Sequence, residues 1–582
     1  MKHLLFTIHL FSFAFLYFPS IVLSVQHHYK IGTNEHIRTF WGFVVKSDQR
    51  KNTNALNRFK QEALKATIPP RKFGVYEYKS DYSGTWAFLI DGAAGIKEDV
   101  DLKFHLWDTF PELVKNSQIA EIGSLDLTSH FAGPPPPGKG DGPPQELPPP
   151  SSPTPRNIKR HSLNRYSRLG RRASDGDGDV EMAEDPGPML LGLKTTFQEM
   201  LMVSQPPKVG LVDMRGYRFE FENAGTGVKV YVIDTGVDPS HEAFDHQRDK
   251  LLGKDSASWI YSGPLPSDEK NDEDLPNFLG NIPGDLADGY LWGYHGTMTA
   301  GKIVGSGYGL ASSADLVAVK VQTGRNYSHG EWGLLDALLK VYDDILRNIE
   351  GDTNSSIKGV VISVSYAISL DDEIENWKDA TVGLYQDILG QLEKIKPKVY
   401  FVSPTGNKDT GQPITYYPQS LILEARNTNN RAFKQCLVVG GVKPDGTTIF
   451  QEGLNVDLYA PAYDLAVPIP PIDPKRPNIM DKYHIAASGT SYGSAFAAGL
   501  LAALISEDVE NPVTQMKKWA YPRRKKGHKV IWNGITEDLW ADAGGEYQPV
   551  DRKRPPSGDS DEEKGKEKDR DCSPNRQRQK LC

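Results

Sequence analysis

The chain has 582 residues, more than a single hydrophobic core can serve, so two or more folded units joined by linkers or tails are expected. Hydrophobic residues make up 38% of it and 41 positions are proline, which marks part of the length as unfolded. A net charge of −8 is small for this size and leaves no basic surplus for nucleic acid, and three cysteines are too few for a disulfide framework.

Residues 1–24 begin with Lys2 and His3, run through LLFTIHLFSFAFLYF and end in Val22, Leu23 and Ser24. Basic flank, apolar run and compact residues in that order read as a secretory signal, although the apolar length would also permit an uncleaved anchor. No other stretch is apolar enough to span a membrane, so no membrane contact is expected once the signal is cut. Residues 37–130 then read as a small α+β unit. Its elements are a strand FWGFVV (40–45), an amphipathic helix NALNRFKQEALK (54–65), a hairpin GVYEYKSDYSGTWAFLI (74–90), a helix TFPELVKNS (109–117) and a strand IAEIGSLDL (119–127). Strand, helix, two strands, helix, strand is the split βαβ order.

Residues 131–185 form a linker, with GPPPPGKGDGPPQELPPPSSPTP (133–155) extended and polyproline-like. Two dibasic pairs follow, ending at Arg160 and Arg172, and then the acidic run SDGDGDVEMAED. Exposed dibasic pairs in a secreted segment are natural processing sites; a solvated charge run is the other reading. The large unit spans 186–548. Its short apolar runs are VKVYVI (228–233), LVAVKV (316–321), GVVISVS (359–365), KVYFVS (398–403) and CLVVGG (436–441). Near-continuous apolar strands belong in a sheet covered on both faces. Between two of them Leu335, Leu338, Leu339, Tyr342, Ile345, Leu346 and Ile349 recur at helical spacing. Strands alternating with helices predict an α/β fold with a doubly wound, mostly parallel sheet. Cys436 reads as a buried small apolar residue, Asn326 and Asn354 open glycosylation sequons, and 549–582 is a charged tail with no core-forming residues.

Ligands and catalytic groups of such a sheet gather at the carboxyl ends of its strands. There VYVIDTGVDPSH places Asp234, able to orient a histidine or simply to cap a turn. GYHGTMTAGKIVG places His295 at the start of a helix crowded with small residues, where a structural histidine would also fit. In VYFVSPTGNKD, Asn407 follows a strand end and a glycine, as an oxyanion donor or an ordinary turn residue. Ser491, in IAASGTSYGSAFAAGLLAAL, precedes a helix that reads as buried on every side, as a nucleophile or a helix cap. Asp, His and Ser together supply the orienter, general base and nucleophile of a triad.

VYVIDTGVDPSH, HGTMTAG, SPTGN and SGTSYGSAFAAG resemble, in chain order over 217–502, the Asp, His, oxyanion-Asn and Ser motifs of the subtilisin-like serine proteases of the S8 class. The compact GKIVGSGYGLASSADLVAVKV after the histidine is most similar to the proteinase K branch. The resemblance implies a secreted serine endopeptidase made as a zymogen, acting on protein or peptide substrates, with catalytic Asp234, His295 and Ser491 and with Asn407 at the oxyanion. It implies that the small N-terminal unit is an inhibitor-type propeptide acting intramolecularly, that the enzyme is a monomer, and that no cofactor is needed. Calcium is possible, with no site that can be assigned. Ser365, Tyr366 and Ala367 stand where the family's substrate-aligning strand has Ser-Leu-Gly, and the added bulk would narrow the pocket. Met298 stands for a common histidine and Ala495 for a proline, Tyr492 and Gly493 also leave the usual pattern around Ser491, and the acidic 267–288 would form a rim that disfavours acidic substrates.

Three other readings compete. GTSYG fits the nucleophile elbow of α/β-hydrolases, which needs an acid and a base after the serine, yet only His528 follows. Asp234-Thr235-Gly236 and Asp409-Thr410-Gly411 form two DTG triplets, the hallmark of a carboxylate dyad. The third is a protease-like fold kept as a binding module.

Overall fold

The run VKVYVID is apolar and β-branched through most of its length, and every residue of the strand it forms, Val228–Asp234, is buried. Such a strand must have cover on both sides. The structure, a computed structural model, describes residues 27–31, 34–38, 40–66, 75–91, 189–192, 197–214, 216–219, 224–239, 241–252, 258–262, 295–321, 330–350, 356–365, 367–368, 375–427, 433–453, 455–468 and 484–536. The signal, the linker with Arg160 and Arg172, the helix and strand expected at 109–127, the acidic 267–288, Asn326, Asn354, Tyr366 and the charged tail lie outside them.

The described residues open with an antiparallel hairpin, β1 (His27–Ile31) and β2 (Asn34–Arg38), for which the sequence carried no signal. β3 (Phe40–Val44), α1 (Thr53–Ala66), β4 (Val75–Ser80) and β5 (Gly84–Asp91) follow, with the strands in the order β3-β5-β4. Leu56, Phe59 and Ala63 make the buried stripe of α1, and the Phe59 ring lies against Phe43 and Phe88 at 5.1 and 4.9 Å.

The large unit opens with β6 (Met189–Gly192), α2 (Gln198–Ser204) and β7 (Gly216–Phe219), then β8 (Val228–Asp234) and β9 (Trp259–Tyr261). Next come α3 (His295–Val304), β10 (Asp315–Lys320), α4 (Gly330–Asn348), β11 (Gly359–Val364), α5 (Glu375–Leu392), β12 (Val399–Pro404) and α6 (Gln419–Asn427). β13 (Cys436–Val442), β14 (Thr448–Ile449), β15 (Leu458–Pro461), β16 (Leu465–Pro468) and β17 (His484–Ala487) lead to α7 (Thr490–Ser506). α8 (Pro512–Trp519), β18 (Tyr521–Pro522) and β19 (Lys529–Val530) end the described chain.

Ten strands form the main sheet, in the order β18-β19-β15-β13-β12-β11-β8-β10-β9, with β14 beside β13. All pairings are parallel except β13 with β14 and β18 with β19. The doubly wound α/β fold expected from the sequence is the fold observed. Side chains alternate across it: Val228, Val230 and Val232 enter the core shared with α3 and α7, while Tyr231 and Ile233 enter the one shared with α4 and α5. Cys436 is buried in that second core, and burial pushes its thiol well up.

The small unit adds Val44, Tyr78, Trp86, Ala87 and Leu89 to the same core. Tyr78 meets Trp332 of α4 edge to face, centroids 5.1 Å apart. Polar contacts ring this patch: Ser80 Oγ donates to Asp343 Oδ1 at 2.5 Å, the Asp81 N–H to Asp343 Oδ2 at 2.7 Å, and Arg50 pairs with Asp387 of α5 at 2.8 Å.

Candidate active site

β8 lies between β10 and β11, so the chain leaves it to opposite sides of the sheet, and the carboxyl edge opens there. Asp234 is the last residue of β8. Val364 of β11 is in register with Ile233, which sets Ser365 beside Asp234, and Asn407 lies just beyond β12. The strand ends thus bring together residues far apart in the chain.

His295 is the first residue of α3. Its Nδ1 lies 2.8 Å from Asp234 Oδ1 and 2.9 Å from Oδ2, with both side chains buried. Two further donors fix the carboxylate: the Thr235 N–H to Oδ1 at 2.7 Å and Thr299 Oγ1 to Oδ2 at 3.1 Å. Thr299 is one helical turn beyond His295, so one helix presents both groups to one carboxylate. Two glycines allow this approach. A Cβ on Gly296 would stand 2.0 Å from the Gly236 carbonyl oxygen, and Gly236 has a φ of +104°.

Ser491 is the second residue of α7, and all seventeen residues of that helix are buried. The N-cap position belongs to Gly489, and no side chain caps the helix, so Ser491 does not serve as a cap. Its Oγ is buried and makes no hydrogen bond, to the imidazole or to any other described residue. The hydroxyl is thus uncommitted at a helix start, where unpaired N–H groups favour negative charge.

Asn407 is anchored through its amide oxygen, which accepts from the Thr490 N–H at 2.9 Å and from Thr490 Oγ1 at 2.8 Å. A backbone N–H can only donate, so the amide nitrogen is the end turned away from Thr490. Ser365 is held by the same helix start, its Oγ donating to the Ser491 carbonyl at 3.4 Å beside Ser494 Oγ at 2.9 Å. Ser365 and Ala367 are both buried.

Two lysines lie near this edge, Lys320 beside the pair and Lys302 two turns further along α3. Lys320 Nζ donates to the Thr235 carbonyl at 2.7 Å; burial pulls its ammonium down to about 8, against the opposing charge of Asp234. Lys302, wholly buried on α3, donates to Glu199 of α2 at 2.7 Å and to the Ala466 carbonyl at 2.9 Å. Burial lowers its pKa and Glu199 offsets part of that. Thr299, Thr490, Lys302 and Lys320 were not singled out from sequence; only Thr299, four residues from His295, carried a signal that helical spacing would have exposed.

The competing constellations do not assemble. Asp409 is exposed in the loop after β12, whereas Asp234 is buried against His295. His528 pairs with Glu452 at 2.9 Å and stacks on Tyr459. Among the described residues no group of three or more His, Cys, Asp or Glu could hold a metal ion, and no helix is long and apolar enough to cross a membrane.

The family model described as the subtilase family of S8 peptidases matches residues 225–523. A subtilase-type proteinase of Schizosaccharomyces pombe is 25% identical over 62% of this chain and 65% of its own length. A cuticle-degrading serine protease of Orbilia oligospora is 24% identical over 56% and 60%, and a subtilisin-like protease of Trichophyton rubrum is 39% identical over 28% of each chain. The chain spans about three fifths of the length of the first two relatives. Among solved structures, a cold-adapted subtilisin-like serine proteinase aligns at 19% identity with a TM-score of 0.38, covering 58% of this chain and 98% of that one.

Proposed function

Because the chain belongs to the subtilase family, we propose that it is a secreted serine endopeptidase made as a zymogen. The Nδ1 contact of His295 with Asp234, at 2.8 and 2.9 Å, carries this reading. A carboxylate on Nδ1 fixes the tautomer that leaves Nε2 able to accept a proton.

In the first half-reaction Ser491 Oγ attacks the scissile carbonyl while His295 Nε2 takes its proton. The C–O bond that forms pushes the carbonyl electron pair onto oxygen, where Asn407 Nδ2 and the Ser491 N–H hold it. A side-chain donor of this kind is worth about 3 to 4 kcal/mol to the transition state. Collapse breaks the C–N bond, and His295 returns the proton to the leaving amine. Water then hydrolyses the acyl-enzyme with the same base. No cofactor takes part in these steps. The Ser491 hydroxyl approaches the imidazole when substrate binds, since catalytic hydrogen bonds often tighten only in the complex.

The small N-terminal unit serves as the propeptide, an assignment supported by its packing over α4 and α5. Release would follow cutting at Arg160 or Arg172, and Asn326 and Asn354 would carry glycans in the secretory route. The main chain of 365–367 would align the substrate strand. A fluorophosphonate is expected to label Ser491 in purified protein, and Ser491→Ala to abolish labelling and reduce peptide hydrolysis by about 10⁶-fold. Labelling or turnover that survived the substitution would refute the assignment.

A further inference from the structure

Two residues at which this chain leaves the motifs it resembles touch each other beside the imidazole. Tyr492 directly follows Ser491 and is buried, and its ring centroid lies 5.4 Å from that of His295 with the planes 43° apart. The Tyr492 hydroxyl donates to Met298 Sδ at 3.4 Å. Met298 is one turn along α3 from His295 and equally buried. With Leu465, Val467 and Ala487 the two form an apolar cluster separate from both main cores, set between the helix of the base and the helix of the nucleophile.

We propose, building on the serine-protease reading, that Tyr492 is a positioning residue for His295. Its ring packs against the imidazole and steadies the cation formed when His295 takes a proton in the reaction, and Met298 holds the ring in place. Asp234 fixes one edge of the imidazole through Nδ1 but does not stop it from tipping about that contact. A tyrosine ring packed beside it removes that freedom. When His295 takes the Ser491 proton it becomes a cation, and an aromatic ring within about 6 Å attracts a cation placed toward its face. Thioether sulfur accepts but cannot donate, so the contact sets the direction of the phenol O–H and hence the ring's place. Burial, and after it the charge of Asp234, push the phenol well above its ordinary value, so it stays a neutral donor throughout the working range.

The test compares Tyr492→Leu, Tyr492→Phe and Met298→Leu in the full chain, matured as the wild type is. The readouts are kcat and KM for one peptide and the fluorophosphonate labelling rate against pH. Other charges near the imidazole, Asp234 from β8, Lys320 from β10 and Lys302 of α3 with its partner Glu199 of α2, are the same in every variant. Tyr492→Leu is expected to lower kcat about tenfold with KM within about twofold, and to move the acid limb down by about half a pH unit. Tyr492→Phe, which keeps the ring, should hold the acid limb within about 0.2 unit and lose only a few-fold in kcat, as should Met298→Leu. A Tyr492→Leu enzyme with the wild-type acid limb and kcat, changed only in thermal midpoint, would overturn the proposal. So would a Tyr492→Phe limb displaced as far as that of Tyr492→Leu. Labelling is read on the folded fraction alone, so partial misfolding leaves the comparison intact. Failure of the underlying reading shows elsewhere, as labelling that persists in Ser491→Ala.

Discussion

The two faces of the central sheet are covered in opposite ways. On one, α3 and α7 are rich in glycine, alanine, threonine and serine and pack closely: a Cβ on Gly499 would stand 3.2 Å from the Ile303 carbonyl oxygen, and one on Gly301 2.2 Å from the Pro468 ring. On the other, Trp332, Leu335, Leu338, Leu339, Ile345, Tyr385 and Ile388 of α4 and α5 keep large side chains against the strands, and the N-terminal unit adds Tyr78 and Trp86 outside them. Polar groups in direct contact, Asp234 with His295 at 2.8 Å and Asn407 with Thr490 at 2.9 Å, flank the first face. Close backbone contact leaves no room for these groups to drift, whereas a thick layer of leucine and aromatic side chains can repack. Substitutions on the small-residue face should therefore act on chemistry, and those on the other face on stability and on the hold of the N-terminal unit.

Gly296→Ala is the harshest way to challenge that contrast. The added methyl would sit 2.0 Å from the Gly236 carbonyl oxygen, which is backbone and cannot turn aside. Either the start of α3 or the turn after β8 must shift, and His295 or Asp234 shifts with it. A displacement of about 1 Å at reacting groups costs on the order of 10²-fold, so kcat should fall by at least that much with a smaller change in KM. Steady-state kinetics on the folded variant decide it. Activity within tenfold of wild type would mean that the small-residue face has slack that its contacts do not show.

Trp332→Ala makes the complementary change. The side chain is buried, donates to Thr381 of α5 at 3.4 Å and meets Tyr78 of the N-terminal unit. Truncating a buried tryptophan costs about 3 to 5 kcal/mol, so the thermal midpoint should drop and limited proteolysis should free the N-terminal unit sooner. Fluorophosphonate labelling of the folded variant should keep the wild-type rate. A loss of labelling as large as that of Gly296→Ala would erase the distinction between the faces.

The contrast also separates what was legible in the sequence from what was not. Strands such as VKVYVID and CLVVGG are readable because cover on both faces demands continuous apolar runs, and α7 because a helix of Ala, Gly and Leu can only be buried. β9 and β15 are three and four residues long, too short for any period to show, and β9 is only half-buried. Asp234, His295, Asn407 and Ser491 stood out through the small residues around them. Their supports did not, because each is a contact between distant positions: Thr490 with Asn407 is 83 residues apart, Lys302 with Glu199 103, and Tyr492 with Met298 194. Read singly, Tyr492 and Met298 are two unexplained departures; only their meeting across α3 and α7 gives them a shared role.

Lys320 stands at the sheet edge where the two faces meet, and the effect expected there is the smallest. Its ammonium titrates at about 8 in the folded chain and at an ordinary 10.5 once exposed. A group held lower when folded binds fewer protons in the folded chain than in the unfolded one between those two values. The wild type should therefore gain stability as pH rises from about 8 toward 10.5, by at most about 1.4 kcal/mol per pH unit from this residue. Below pH 8 the cost of burying the charge is present in full. Lys320→Met removes that cost along with the bond donated to the Thr235 carbonyl. The lost bond weakens the variant by the same amount wherever the wild-type amine still donates it, so only the proton contributes a slope. Urea unfolding of both proteins at pH 7, 8, 9 and 10 should show any advantage of the variant shrinking, or its deficit growing, from pH 8 upward. Parallel curves over that range would mean that the amine stays charged and hydrated at the edge, and that Asp234 feels a fixed cation there rather than one that titrates.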